Sequence, residues 1–512
     1  MAKYTRIITS VVLAAAVAIP AAAARPEKVE GNYYVAFKNG VQASDRAMLK
    51  SQGASVRDEF PEARAVEVRI SNPMAVQGIA NNPRVEYVEE VPMRYKLDLS
   101  TAQLAPSLSN GLYGILTTKS NVANGAGFTG SGIKVGVADT QLDVAHSDIA
   151  GNLVGHTDCV GKNPCSGSGW QNDGETHATH VAGTILAVNN GSGVAGVAYN
   201  AKLAHARVLG PNGGSTSDIM RGVRWLVENQ GCKIVNLSLG GGMKSRTEEN
   251  FYKEMRTKGA LVVAATGNDA ATRISYPAAY AVNVAVGAVD VNDVVATFSN
   301  RGTGIDITAP GVMVLSAVPA NSGSEAHVTA GSQYRAFGME FAPKTAGVSG
   351  NLVYCGLGQA GEFPAAVAGN IALIQRGTID FVTKVNNAKA AGATAAIIYN
   401  NAAGEFTGTL GAAGNYIPAV SVSDVAGAAL RTQATGTVVD KVSNWDHMDG
   451  TSMATPHAAG VAALIWSSNL SLTANDVETK LKNGCDDKGA AGYDTTYGYG
   501  RVNAAKSLGL PN

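Results

Sequence analysis

Ser217-Asp-Ile-Met-Arg-Gly-Val-Arg-Trp-Leu-Val-Glu-Asn-Gln230, followed after Gly231 and Cys232 by Lys233-Ile-Val-Asn-Leu-Ser-Leu239, is the stretch whose reading decides the fold. Ile219, Val223, Leu226 and Val227 fall on one face at helical spacing, Ser217 stands where an N-cap belongs, and Gly231 closes the helix. Lys233 to Leu239 is a short apolar run of strand type. Working outward, Ile133 to Ala138 is a buried-strand run on one side. On the other, Thr247 to Lys258 reads as a helix and Ala260 to Ala265 as another strand. Strand and helix in that alternation predict an α/β unit, a parallel sheet flanked by helices.

Toward the N-terminus the composition changes. Residues 25–97 are richer in charge, with strand-like alternation in Tyr33-Tyr-Val-Ala-Phe-Lys38 and Ala65-Val-Glu-Val-Arg-Ile70, which predicts a small α+β unit. Ahead of it, Lys3 and Arg6 precede an apolar run from Ile7 to Ile19, then Pro20 and the small residues Ala21 to Ala24. That order is a secretory signal peptide, too short in its apolar part for a membrane anchor. A Gly/Ala/Val-rich segment, Asn321 to Ser443, interrupts the α/β unit. The expected division is therefore 1–24 signal, 25–97 α+β unit, 98–320 and 444–512 the two parts of the α/β unit, and 321–443 an insert. The whole chain of 512 residues carries 40 Lys+Arg against 40 Asp+Glu, so nothing global favours nucleic acid or an anionic membrane. No run of about 18 apolar residues offers a transmembrane helix. An exported chain meets an oxidising compartment, and Cys159 and Cys165 are near enough in sequence to close a small loop; the pairing of Cys232, Cys355 and Cys485 stays open.

Ligands of an open parallel sheet gather at the carboxyl ends of its strands. Asp139 follows the first strand, Ser238 sits late in the second, and Asn268 follows the third. His177 and Ser452 each open an apolar helical stretch. Taken singly, each has an ordinary explanation: a serine caps a helix, and His177, His180 and His457 serve as core histidines. A zinc reading of His177 and His180 lacks the i,i+4 spacing and the intervening Glu.

Three segments change that balance together. Val135-Gly-Val-Ala-Asp-Thr140, His177-Ala-Thr-His-Val-Ala-Gly-Thr184 and Gly450-Thr-Ser-Met-Ala-Thr-Pro-His457 resemble the catalytic motifs of the subtilisin family, in that family's order Asp, His, Ser. The likeness extends through Asn236 to Gly241, Ala264 to Asn268, Phe298 to Gly302, Ala309 to Gly311 and Tyr497 to Gly500, so it covers nearly all of 110–320 and 444–512. An α/β-hydrolase is excluded by that order and by Ala454, which breaks a Gly-x-Ser-x-Gly elbow. A decayed, non-catalytic scaffold is disfavoured because Asp139, His177, Asn268 and Ser452 are all present. Two positions depart from the family pattern, Gln141 and Ala178, where glycine is usual.

The resemblance implies a secreted serine endopeptidase, monomeric, acting on proteins and peptides through an acyl-enzyme. Asp139, His177 and Ser452 are the implied triad, with Asn268 in the oxyanion hole. Ser238-Leu239-Gly240 and Ala265-Thr266-Gly267, with Ser275 at the base, would line a pocket for large apolar residues before the cleaved bond. Residues 32–95 resemble the family's inhibitory propeptide, a ferredoxin-like unit removed by self-cleavage. The insert resembles a protease-associated domain in Gly369-Asn-Ile-Ala-Leu-Ile-Gln-Arg-Gly377 and Ala388-Lys-Ala-Ala-Gly-Ala393. Val188-Asn-Asn-Gly-Ser-Gly-Val194 resembles the family's calcium loop, which would hold Ca²⁺ through Asp148, Asn190 and the carbonyls of Val188, Ser192 and Val194.

Overall fold

Val135, Val137, Ile234, Val235, Leu261, Val263, Val284 and Val286 are wholly buried, which is why their strands show no polar alternation: both faces of the sheet are covered. A computed structural model describes residues 25–97, 112–167 and 175–511; the expected signal peptide lies outside the described residues. Seven parallel strands run in the order Ile307–Pro310, Val284–Val289, Leu261–Ala265, Ile234–Leu237, Lys134–Asp139, Lys202–Arg207, Leu153–Asp158. The chain starts at Lys134–Asp139, fills one side, then returns to fill the other from Ile234–Leu237 outward. The direction therefore reverses beside Asp139, which is where a crevice forms in such sheets. Val135 and Val137 face one core with the helices His177–Leu186 and Thr451–Ser468. The alternate residues Ala138, Val235 and Val262 face the other, with Thr216–Arg224 and Arg246–Thr257.

Two local expectations shift. The cap of the first helix is Ser215 and not Ser217: Ser215 Oγ accepts the Asp218 amide at 3.1 Å while Asp218 reaches back to the Ser215 amide, a closed box that Ser217 has no partner to make. The strand expected over Lys233–Leu239 divides into Ile234–Leu237 and Leu239–Gly240, because Ser238 turns out of the sheet.

The N-terminal unit folds as strand, helix, two strands, helix, strand, with sheet order Val85–Lys96, Lys28–Phe37, Ala65–Ile70, Ala54–Phe60, all antiparallel, the ferredoxin-like arrangement. It shares a core with the α/β unit: Tyr34, Phe60 and Val91 pack in one cluster with Val223, Phe251 and Leu237. Tyr34 Oη is bonded to Thr216 Oγ1 at 2.7 Å and Ser217 Oγ at 2.8 Å, so Ser217 serves this interface. Glu89 caps Arg246–Thr257, accepting from Ser245 Oγ and the amides of Arg246 and Thr247.

The insert has its own eight-stranded sheet, opened by Gly323–Ala330 and closed by Thr435–Ser443, which pair with each other from Gly323 opposite Ser443. Its two cores, around Ile371, Ile397 and Val420 and around Ile374, Ile398 and Val385, contain no residue of the α/β unit. A two-stranded stalk joins it to the rest, Val314–Ala317 against Trp445–Met448. Cys159 and Cys165 are bridged. Cys232, Cys355 and Cys485 are buried free thiols, pushed up to about 12, 11 and 12 by burial.

Because the Val318 amide already donates to Asn444 O, the ends of the insert meet without it. Replacing residues 321–443 by a short Gly/Ser linker is therefore expected to leave the α/β unit cooperatively folded. Its calorimetric midpoint should move by no more than about 4 °C, roughly 1 kcal/mol. Loss of a cooperative transition would show that the insert belongs to the core.

Candidate active site

Asp139 ends its strand with its carboxylate fully buried, and Oδ1 accepts the Thr140 amide at 2.6 Å and His177 Nδ1 at 2.7 Å. A carboxylate only accepts, so Nδ1 carries a proton and the ring is held with Nε2 on its far side. His177 is the first residue of its helix, and its Nε2 is buried without a hydrogen-bond partner among the described residues. Ser452 lies in the first turn of Thr451–Ser468, and its Oγ donates to Ser238 O at 3.0 Å. Aspartate, histidine and serine thus arrive from a strand end and two helix starts at one edge of the sheet. Ala178 is buried, and its amide donates to Thr140 Oγ1 at 3.2 Å, so the residue standing in place of glycine is accommodated.

Neighbouring histidines are structural. His180 Nε2 donates to Val314 O at 2.9 Å and Asp446 O at 3.2 Å, tying the histidine helix to the stalk. His205 Nε2 donates to Thr140 O at 2.9 Å, and His457 Nδ1 to Met453 O at 2.8 Å. Burial pushes them down to about 3, 4 and 4 respectively, which keeps them neutral.

Asn268 is held by its oxygen: Oδ1 accepts from the Thr451 amide at 2.9 Å and Thr451 Oγ1 at 2.8 Å. That fixes Nδ2 on the side of the serine-helix N-terminus. Gly450, at φ 151°, leaves the approach open, since a Cβ there would stand 3.2 Å from Asn268 Nδ2 and 3.5 Å from the Ser452 amide. Thr451 and Asn300 were not singled out as site residues from sequence. Asn300 rivets the neighbouring loop, with Oδ1 accepting the Asp269 and Ala271 amides and Nδ2 donating to Thr266 O.

A strand of the N-terminal unit occupies the cleft. Val85–Lys96 pairs antiparallel with Gly214–Ser215 through Met93 and Arg94, and with Leu239–Gly240 through Tyr95 and Lys96. Leu97 follows, buried against Gly240: a Cβ on Gly240 would stand 3.3 Å from Leu97 Cδ2 and 3.0 Å from Ser275 Cβ. Gly267, at φ 112°, admits no side chain, since its Cβ would meet Ser275 Oγ at 2.6 Å. Leu239, Gly240, Gly267 and Ser275 therefore converge, while Ala265 and Thr266 are buried residues leading into that wall. The Ser238 hydroxyl donates to Ser452 O at 2.8 Å and accepts from Asn236 Nδ2, a strut under the serine, while its backbone leads into Leu239–Gly240.

Asp148 and the loop 188–194 come together. Val188 N donates to Asp148 O, and Asp148 Oδ2 accepts from Val194 N at 2.9 Å and Trp445 Nε1 at 2.8 Å. Among the described residues Oδ1 accepts only Ser147 Oγ, at 3.2 Å, and Asn190 Oδ1 accepts the Ser192 amide. Carboxylate, amide and carbonyl oxygens are the kind of donor that suits a hard cation.

Residues 130–341 match the model of the subtilase family, and residues 348–430 that of the PA domain. An alkaline protease from Alkalihalobacillus alcalophilus is 40% identical over 291 residues, 56% of this chain and 71% of that protein. The crystal structure of a psychrophilic subtilisin-like protease from the Antarctic psychrotroph Pseudoalteromonas sp. AS-11 aligns with a TM-score of 0.61 at 30% identity, covering 77% of this chain and 96% of that one. Fervidolysin from Fervidobacterium pennivorans, at 21% identity, TM-score 0.62, 95% of this chain and 62% of that one, shares the fold. Sheet, insert and relatives agree that the chain belongs to the subtilase family, as a subtilisin-like serine endopeptidase with an inserted PA domain.

Proposed function

We propose that the chain is an exported precursor that cleaves itself after Leu97 and then hydrolyses other proteins and peptides, with Asp139, His177 and Ser452 as its triad. The observation that carries this reading is the Val85–Lys96 strand, laid as a substrate would be along two strands of the α/β unit and delivering Leu97 to the wall formed by Gly240 and Ser275. Leu97 in that place favours a large apolar residue before the scissile bond. Export rests on the basic, apolar and small-residue order of residues 1–24, and among the described residues no helix is long and apolar enough to cross a membrane.

The chemistry follows from the geometry. Ser452 Oγ rotates from Ser238 O toward His177 Nε2, gives up its proton there, and attacks the carbonyl carbon. Asp139 holds the imidazole in the reactive tautomer and stabilises its cation. Charge develops on the carbonyl oxygen, where Asn268 Nδ2 and the first-turn amide of Ser452 donate to it. His177 returns the proton to the leaving amine, and water repeats the sequence on the acyl-enzyme.

We further propose a calcium ion held by Asp148 Oδ1, Asn190 Oδ1 and the carbonyls of Val188, Ser192 and Val194, where it would cross-link the loop to the residues before the histidine helix. None of these residues is a catalytic group, so the ion acts on lifetime.

Ser452→Ala is expected to abolish proteolysis and to leave the purified precursor uncut; normal processing of that variant without another protease would contradict self-cleavage. Asn268→Ala should fold and bind substrate while kcat falls by about 10²–10³, the range set by an oxyanion donor of a subtilisin. Calcium at a hundredfold excess over its Kd stabilises by about 2.7 kcal/mol. Chelation should therefore lower the thermal midpoint and speed autolysis while initial rates hold, and an unchanged midpoint would remove the site.

A further inference from the structure

Arg94 belongs to the N-terminal unit, yet the α/β unit buries it completely, and Glu248, opposite it, is equally inaccessible. Arg94 Nη2 donates to the Glu248 carboxylate and to Met243 O at 2.9 Å, and Nη1 donates to Met93 O at 3.1 Å. Tyr280 Oη donates to the same carboxylate at 2.8 Å. Gly241 makes room: a Cβ there would stand 2.9 Å from Met93 O and 3.3 Å from Arg94 Nη1. Taking two charges out of water costs several kcal/mol each unless they are closely paired. Attachment of the N-terminal unit has other means, in Glu89 at the helix cap and in the pairs Arg221–Asp58 and Arg224–Glu62.

Position explains the pair better than attachment does. Arg94 lies three residues before Leu97 on the strand that pairs with Gly214–Ser215 and Leu239–Gly240. A substrate held by the same two strands in the same register places the fourth residue before its scissile bond where Arg94 stands. Once the N-terminal unit departs, Glu248, Met243 O and Tyr280 remain with the α/β unit as a closed acidic pocket. We propose that Glu248 is a specificity-determining residue that selects arginine at the fourth position before the cleaved bond. This rests on the reading of Leu97 as the residue preceding that bond. Guanidinium is favoured over ammonium because one nitrogen reaches both Glu248 and Met243 O in a fixed plane. Lys96, paired with Glu175 at 2.6 Å but 40% exposed on its side chain, carries far less selectivity.

The test compares acetyl tetrapeptide anilides Xaa-Ala-Ala-Leu on the mature enzyme, with arginine, its uncharged isostere citrulline, or alanine at Xaa. Arginine should exceed both others in kcat/KM by about 10- to 100-fold, the value of a buried charge-assisted bond. Glu248→Gln should reduce that preference below about threefold and leave the alanine peptide within about twofold of wild type. Equal rates on the three peptides with the wild-type enzyme would overturn the proposal while leaving the triad intact; no cleavage of any of them would remove the underlying reading as well. If Glu248→Gln does not mature, arginine against citrulline on the wild type still decides.

Discussion

The constraint on which the rest depends is the burial of the serine helix. Every residue from Thr451 to Trp466 is buried, with Met453, Val461, Leu464 and Ile465 in the main core beside the histidine helix and the sheet strands. A nucleophile opening such a helix inherits the rigidity of the core, because its position cannot change without disturbing packing along the whole element. Thr451 extends that rigidity to Asn268, and Ser238 extends it to the strand edge on which Tyr95 and Lys96 lie. The insert enters the chain through a stalk ending two residues before this helix, and its stalk partner strand packs on the histidine helix through His180. It is therefore attached beside the helices that carry His177 and Ser452, while its own cores stay separate.

The N-terminal unit is tied to the same frame in a different way. It shares apolar core with the two helices on the far face of the sheet and adds buried ion pairs, Arg94–Glu248 and Arg221–Asp58. None of those contacts involves the bond after Leu97. On the proposed reading, cutting there would release no interface, and the cut unit would stay in place until it dissociates or is destroyed. Its last strand lies along the backbone edges of Gly214–Ser215 and Leu239–Gly240, which under that reading would make one segment both first substrate and plug.

Much of this was legible in the sequence because it is local. Apolar runs such as Leu261–Ala265 show buried strands, and the segments around Asp139, His177 and Ser452 carry their own signatures. The errors have local causes too. Ser215 and Ser217 both stand at the start of the helix, and only the box with Asp218 shows which of them caps it. The strand expected over Lys233–Leu239 is interrupted at Ser238, whose hydroxyl is drawn beneath Ser452. What stayed hidden joins distant positions. Arg94 and Glu248 are 154 residues apart, and neither stands out in a chain with balanced charge. Asn300 lies within the Phe298–Gly302 likeness, but its part shows only when three backbone groups of the 266–271 loop are seen to converge on it.

The most direct measurement is the mass of the N-terminal fragment released first when purified precursor matures in the absence of other proteases. With Leu97 seated between Gly240 and Ser275, that fragment should end at Leu97 and the remaining chain should begin at Asp98. A first fragment ending at any other residue, before further trimming, would show that the strand in the cleft is not held in the register of a substrate.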